Sequence, residues 1–232
     1  HPDLVVSGIL HDSFQLFRNL GGARGFEDMA QRTGLLMSTR QLTGWSLGAV
    51  DFDNDGWKDL FFALAHLMQL DRYLGSESAL ANRVYRNVKG QRLEEITLPG
   101  AALHRGAAFA DFDNDGRVDV VVTAVNGPAK LLRNTTIGGG HWLALRLRGT
   151  RSNRQGLGAR VRVHLADGRD LDNHATTAVG YASSSEPLVR FGLGASARAE
   201  WVEIRWPGGG VQRLEGVKAD QVLEVAEEAS RP

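Results

Sequence analysis

Cysteine is absent from the 232-residue chain. That excludes a disulfide framework, thiolate metal sites and a cysteine nucleophile, and it leaves the redox compartment open. Long apolar runs are also missing: the longest, residues 60–65 and 120–125, are strand-length, far below the ~20 residues of a membrane span. Nor is there an excess of charge, since Lys+Arg and Asp+Glu both number 27, so net charge gives no case for a nucleic-acid or membrane-surface partner. What remains is a globular composition, 42% hydrophobic and 23% charged, sufficient for one large or two smaller domains. Disorder and coiled coil are excluded. With 28 glycines and no long helical pattern, short strands and turns are expected.

The chain repeats itself. Asp51-Phe52-Asp53-Asn54-Asp55-Gly56 recurs unchanged 60 residues later as Asp111-Phe112-Asp113-Asn114-Asp115-Gly116, each followed by a further Asp, Asp59 or Asp119. An apolar run comes next, Leu60-Phe61-Phe62-Ala63 or Val120-Val121-Val122-Thr123, and later an apolar pair with Arg-Asn, at Arg86-Asn87 and Arg133-Asn134. A third copy is visible at the start, where Asp3-Leu4-Val5-Val6 aligns with Asp59-Leu60-Phe61-Phe62 and Leu16-Phe17-Arg18-Asn19 supplies the strand end. The alignment implies an excised piece beginning inside a third acidic loop, with upstream units of the same chain missing. Phe26-Glu27-Asp28-Met29 and Leu93-Glu94-Glu95-Ile96 complete about four strands per unit, the anatomy of a propeller blade. The stretch from His66 to Asn82 reads as a rim insertion, in which Ser76-Glu77-Ser78-Ala79-Leu80-Ala81 is suited to a helical turn.

Each acidic loop places Asp at positions 1, 3, 5 and 9 and Gly at 6. Four carboxylates around one point repel and raise one another's pKa, and a hard cation with oxygen ligands removes that cost. The expected ligands are Asp51, Asp53, Asp55 and Asp59 with the Trp57 carbonyl, and Asp111, Asp113, Asp115 and Asp119 with the Arg117 carbonyl. Calcium, at two sites, suits a flexible all-protein oxygen cage better than magnesium, which keeps several waters. Transition metals would call for His or Cys. Position 12, a Glu in an EF-hand, holds Phe62 or Val122. Asn54 and Asn114 suit a left-handed turn, and Phe52 and Phe112 are expected in the core.

After Asn134 the pattern changes. Gly138-Gly139-Gly140 is expected to be a flexible joint, followed by alternating strands over 143–147, 161–165, 201–206, 211–214 and 222–225, with a hairpin turn at Asp167-Gly168. A second domain, a β-sandwich or similar closed sheet, is expected here.

The acidic repeats resemble the FG-GAP or VCBS family, the calcium-loop blades of integrin-α-like propellers. The stretch from Trp142-Leu143-Ala144-Leu145 through Ser152-Asn153-Arg154, Gly156-Leu157-Gly158-Ala159, Phe191-Gly192-Leu193-Gly194 and Val202-Glu203-Ile204-Arg205-Trp206-Pro207 is similar to an ASPIC/UnbV domain, as in bacterial UnbV-type and cartilage acidic protein-like proteins. The resemblance implies an all-β chain: partial propeller blades over 1–136, then a sandwich-like domain over 137–232. It implies a calcium-binding adhesion or binding module, extracellular, periplasmic or at the cell surface, with an unidentified protein or carbohydrate ligand. The competing class is an accessory or catalytic component of a biosynthetic or polysaccharide-processing system, with its active site in upstream blades.

No catalytic residue emerges. Gly44-Trp45-Ser46-Leu47-Gly48 fits G-x-S-x-G but lacks the strand, turn and helix that pattern needs, and reads instead as a blade-entry turn. The seven histidines show no zinc-binding spacing. Between Asp119 and Asp167 there is no acidic residue. Arg146, Arg148, Arg160 and Arg162 accumulate there as a possible polyanion-binding face, although strand alternation already explains them as outward positions.

Overall fold

A computed structural model describes residues 2–67 and 78–228. Among them, β-strands dominate, and no helix is long and apolar enough to cross a membrane. Three antiparallel sheets follow one another along the first part of the chain. The first contains β1 (Leu4–Val6), β2 (Gln15–Asn19) and β3 (Phe26–Asp28) in that order. After a short helix, Leu35–Thr39, the second contains β4 (Gly44–Val50), β5 (Asp59–Leu64), β6 (Arg83–Val88) and β7 (Arg92–Thr97). The third is β8 (His104–Ala110), β9 (Asp119–Ala124) and β10 (Gly127–Leu132). Strands β1 to β3 correspond to β5 to β7, and β8 to β10 correspond to β4 to β6, in agreement with the repeat.

The middle sheet is packed on both sides. Leu60, Phe62 and Leu64 of β5 join Phe14, Leu35 and Tyr85 in a core toward the first sheet. Phe61 and Ala63 turn the other way, onto Ala107, Phe109, Val120 and Val122 of the third and Val118 of the loop before β9. An antiparallel strand with one wet face alternates polar and apolar, but β5 is covered on both faces and reads as a continuous apolar run. Phe52 borders the second core, whereas Phe112 is 49% exposed, so the expectation that both are core residues holds for Phe52 only.

The rest of the chain forms two sheets around one core. β11 (His141–Arg148) lies between β14 (Val189–Gly194) and β17 (Gln221–Ala226), running parallel to the latter. β12 (Arg160–His164), β13 (Asp170–His174), β15 (Arg198–Arg205) and β16 (Val211–Lys218) form the facing sheet in the order β13-β12-β15-β16. Alternate residues point inward: Leu143, Leu145 and Leu147 of β11 meet Val161 and Val163 of β12 and Val202 and Ile204 of β15, with Trp206 at one end. The Asp167-Gly168 hairpin forms as expected, Gly168 having φ 86°.

Two local expectations change. Ser46 lies within β4 rather than in an entry turn. It is fully buried, and its Oγ accepts the Ala107 and Tyr181 N–H groups at 3.0 and 3.1 Å. The hydroxyl therefore ties two sheets and a C-terminal loop together and faces no solvent from which a substrate could approach. In the rim insertion, residues 76 and 77 of the candidate helical turn lie outside the described residues, while Ala79 and Leu80 form β-bridges to Ala65 and Ala102. That part is extended because it has neighbouring strand ends to pair with.

Candidate metal centre

Both acidic loops connect adjacent strands of a hairpin, closed by the pairs Val50↔Asp59 and Ala110↔Asp119. They share a set of internal hydrogen bonds. Asp51 accepts the Asp55 and Gly56 N–H groups at 3.1 and 2.9 Å, and Asp111 accepts those of Asp115 and Gly116 at 3.0 and 2.9 Å. Asp55 accepts the Trp57 N–H at 2.8 Å, and Asp115 that of Arg117 at 2.9 Å. Asp59 and Asp119 each accept from the second loop residue, Phe52 or Phe112, at 3.0 Å. Asn54 and Asn114 adopt left-handed φ values of 56° and 58°, as their type suggests.

A further element of the loop is supplied from outside it. The Asn87 N–H donates to Asp59 Oδ1 at 2.7 Å while its side-chain Nδ2 donates to the Lys58 carbonyl at 3.0 Å. Asn134 does the same to Asp119 and the Val118 carbonyl at 2.7 and 3.2 Å. Asn19 repeats the contact with Asp3 and the Pro2 carbonyl at 2.8 and 2.9 Å, which places Asp3 at the ninth position of its unit. The sequence carried this signal as the recurring Arg-Asn pair, legible there as a repeat marker but not as a clamp. In the second unit, Arg86 Nε reaches Asp53 at 2.8 Å, and in the third Arg133 Nε reaches Asp113 at 2.6 Å.

This scaffold gathers oxygen donors. Asp51, Asp53 and Asp59 offer ligand atoms within 4.8 Å of one another, as do Asp111, Asp113 and Asp115, and each group can hold a metal ion. Asp55 and Asp119 lie in the same loops but outside these two groups. The donor set fits a hard cation: it is all carboxylate, and in the first loop Asp51, Asp55 and Asp59 resist ionisation. Burial, assisted by Asp55, Asp59 and Asp53, pushes Asp51 up to about 7 against the opposing Gly56 N–H. Burial likewise raises Asp59 to about 6, although the Asn87 and Phe52 N–H groups pull it down. Asp113 shifts the other way, lowered by its hydrogen bond from Arg133.

The sign of a pH effect follows. Asp51 titrates higher in the folded chain than in the unfolded one, where the ordinary value is 3.8. Its contribution to stability is therefore complete below pH 3.8 and is lost as pH rises through about 7. In metal-free buffer, the melting temperature of the wild type relative to Asp51→Asn is expected to fall between pH 5 and pH 8. A difference that stays flat would rule out the elevated carboxyl.

The loops are also the seat of the C-terminal sandwich. Four successive carbonyls of the first loop are held from outside: Phe52 by Asn134 Nδ2 at 2.8 Å, Asp53 by the Gly140 N–H at 2.8 Å, Asn54 by the Gly194 N–H at 2.8 Å, and Asp55 by Arg169 Nη1 at 3.2 Å. The Gly138-Gly139-Gly140 stretch is thus not a free joint through its length. Gly140 is pinned between Asn54 and Gly194, where a Cβ would lie 2.3 Å from the Asn54 oxygen. In the other loop, the Trp142 ring lies against Gly116, which has φ 87° and no room for a side chain. Asn134 Nδ2 donates to both the Phe52 and Val118 carbonyls, so the side chain of the Asn134-Thr135-Thr136 sequon is already engaged.

The four arginines considered as a polyanion face do not form one surface. Arg146 and Arg148 project from β11 of one sheet, and Arg160 and Arg162 from β12 of the facing sheet, all outward and exposed. Arg148 pairs with Glu224 at 3.1 Å and Arg162 with Asp172 at 2.9 Å. Strand alternation places such residues outside on both faces of a sandwich, so nearness in sequence does not make them neighbours.

Comparison with known proteins agrees with this architecture. The model of the FG-GAP-like repeat matches residues 69–122, spanning the end of one unit and the acidic loop of the next. That of ASPIC and UnbV matches residues 149–232. Cartilage acidic protein 1 of Mus musculus is 29% identical over 194 residues, 76% of this chain and 28% of its own length. The Homo sapiens protein of the same name is 29% identical over 192 residues, covering 75% and 27%, and that of Xenopus tropicalis 26% over 242 residues, covering 96% and 34%. The chain thus spans 27–34% of the length of these relatives. Blade-like sheets with acidic hairpin loops, followed by a sandwich, are the architecture that these two matches describe: an FG-GAP-like repeat followed by an ASPIC and UnbV domain.

Proposed function

We propose that the chain is a calcium-binding, adhesion-type module acting outside the cytoplasm, extracellularly, in a periplasm or at a cell surface. Residues 1–136 are the repeat region and 137–232 the ASPIC/UnbV domain, and further blades of the same chain complete the propeller. The observation that carries the reading is the duplicated loop, in which the same backbone N–H groups aim carboxylates at one point twice. Asp51, Asp53, Asp55 and Asp59 with the Trp57 carbonyl would hold one ion, and Asp111, Asp113, Asp115 and Asp119 with the Arg117 carbonyl the other. Calcium would supply the positive charge that lets these carboxylates stay ionised together, so that its binding free energy becomes folding free energy.

The chain's own residues do the rest. Asn87 and Asn134 fix the ninth-position carboxylates, and the C-terminal sandwich fixes the backbone of the first loop. The role is therefore structural, presenting a surface to a protein or carbohydrate ligand, with no catalytic step assigned to any residue here. Extracellular calcium modules bind at ~0.1–1 mM, and saturation at ~10 mM calcium should raise the melting temperature by roughly 3–10 °C per site relative to chelator. Asp53→Ala and Asp113→Ala should each remove part of that rise. An equal rise in the double variant would contradict the reading.

A further inference from the structure

The two loops share a backbone but not a set of neighbouring cations. Asp111, Asp113 and Asp115, the three carboxylates that converge in the second loop, each face an arginine. Arg190 Nη2 lies 3.6 Å from Asp111, Arg133 Nε donates to Asp113 at 2.6 Å, and Arg117 is bonded to Asp115, which is also 3.7 Å from Arg133 Nη2. In the first loop, Arg86 pairs with Asp53 at 2.8 Å, and no ion pair to Asp51, Asp55 or Asp59 is formed among the described residues.

Arg86 and Arg133 are equivalent and cancel in the comparison. Lys58, whose counterpart is Val118, acts on Asp51 without forming an ion pair, its ammonium donating to Asn173 Oδ1 at 3.2 Å. The difference in direct pairing therefore lies in Arg117 and Arg190. The first has Trp57 as its counterpart in the repeat. The second approaches Asp111, whereas Asp51 meets the backbone of Gly192. Arg169 does reach the first loop, but through the Asp55 carbonyl, with its charge paired to Asp167 at 2.8 Å. Arg190 shares its own charge with Glu186 at 2.5 Å, and both Arg190 and Arg117 are largely shielded from solvent, at 17% and 30% side-chain exposure. Charges so placed are screened less by salt than exposed ones.

Resting on the calcium reading above, we propose that the loops are unequal calcium sites. The first is the tight site, and the second is weakened by Arg117 and Arg190, which act as built-in counter-ions competing with the metal for Asp115 and Asp111. Two like charges close to a divalent ion at partly buried positions should weaken the second site by about tenfold or more.

Calorimetric titration of calcium into the metal-free chain tests this. The wild type is expected to show a tight step that Asp53→Ala removes and Asp113→Ala leaves in place. Arg117→Gln with Arg190→Gln should strengthen the weak step by about tenfold or more without changing the tight one. A merely structural role for these arginines predicts no gain of affinity. The single variant Arg117→Gln, expected to give part of the gain, covers the case in which loss of Arg190 disturbs folding. Equal steps in the wild type, loss of the tighter step in Asp113→Ala, or no strengthening in either arginine variant would overturn the proposal while leaving the calcium reading intact. Absence of calcium binding to the wild type would overturn both.

Discussion

Gly192→Ala is expected to destabilise the chain by about 3 kcal/mol, measured by urea unfolding. A Cβ at this position would lie 2.1 Å from Asp51 Oδ2 and 2.5 Å from the Asn54 Cα, and neither is the free end of a flexible side chain. Asp51 is fixed by the Asp55 and Gly56 N–H groups, and Asn54 is held in a left-handed turn. The methyl therefore forces β14 away from the first acidic loop, breaking the hydrogen bond from the Gly194 N–H to the Asn54 carbonyl. Gly127→Ala in β10 is the control. Its nearest neighbour would be the Ala124 Cβ at an ordinary 3.5 Å, and the expected change is within about 0.5 kcal/mol. A Gly192→Ala variant as stable as this control would mean that the sandwich does not sit on the loop.

Asp59→Ala should cost about 2 kcal/mol even in metal-free buffer, because it strands the Phe52 and Asn87 N–H groups. Relief of a carboxylate that is only 2% exposed offsets part of the loss. Asp53→Ala removes a partly exposed ion pair with Arg86 and should cost less than about 1 kcal/mol without metal. The two aspartates thus separate under denaturant: the ninth-position residue holds the hairpin by itself, whereas the third-position residue matters when a cation is present. Equal metal-free losses would collapse that distinction. Asp119 repeats the contacts of Asp59 and should behave alike.

What the sequence disclosed and what it withheld follow from the range of the interactions. The repeat, the strands and the acidic loops were legible because they depend on local spacing: carboxylates two residues apart, glycine at the turn, and apolar runs at strand length. The Asp3 alignment was legible for the same reason, and Asn19 bears it out. Contacts between distant segments were not legible. Ser46 read as part of a blade-entry turn and instead sits in a strand, accepting N–H groups 61 and 135 residues away. Gly140 looked flexible by type, but the lack of a side chain serves close approach to Asn54. Arg146 and Arg160 looked like neighbours because alternation shows that a residue faces outward without showing from which sheet. Phe112 looked apolar enough to be buried, yet about half of it faces solvent.

Calcium uptake measured by equilibrium dialysis at 1 mM free calcium, comparing the wild type with Asp51→Asn/Asp111→Asn, tests the central claim most directly, since both substitutions keep the side-chain shape and remove one carboxylate per loop. Bound calcium in the wild type that is lost in the double variant is the predicted result. Equal uptake by both, or none by the wild type, would contradict the account and leave the two loops as hydrogen-bonded acidic turns.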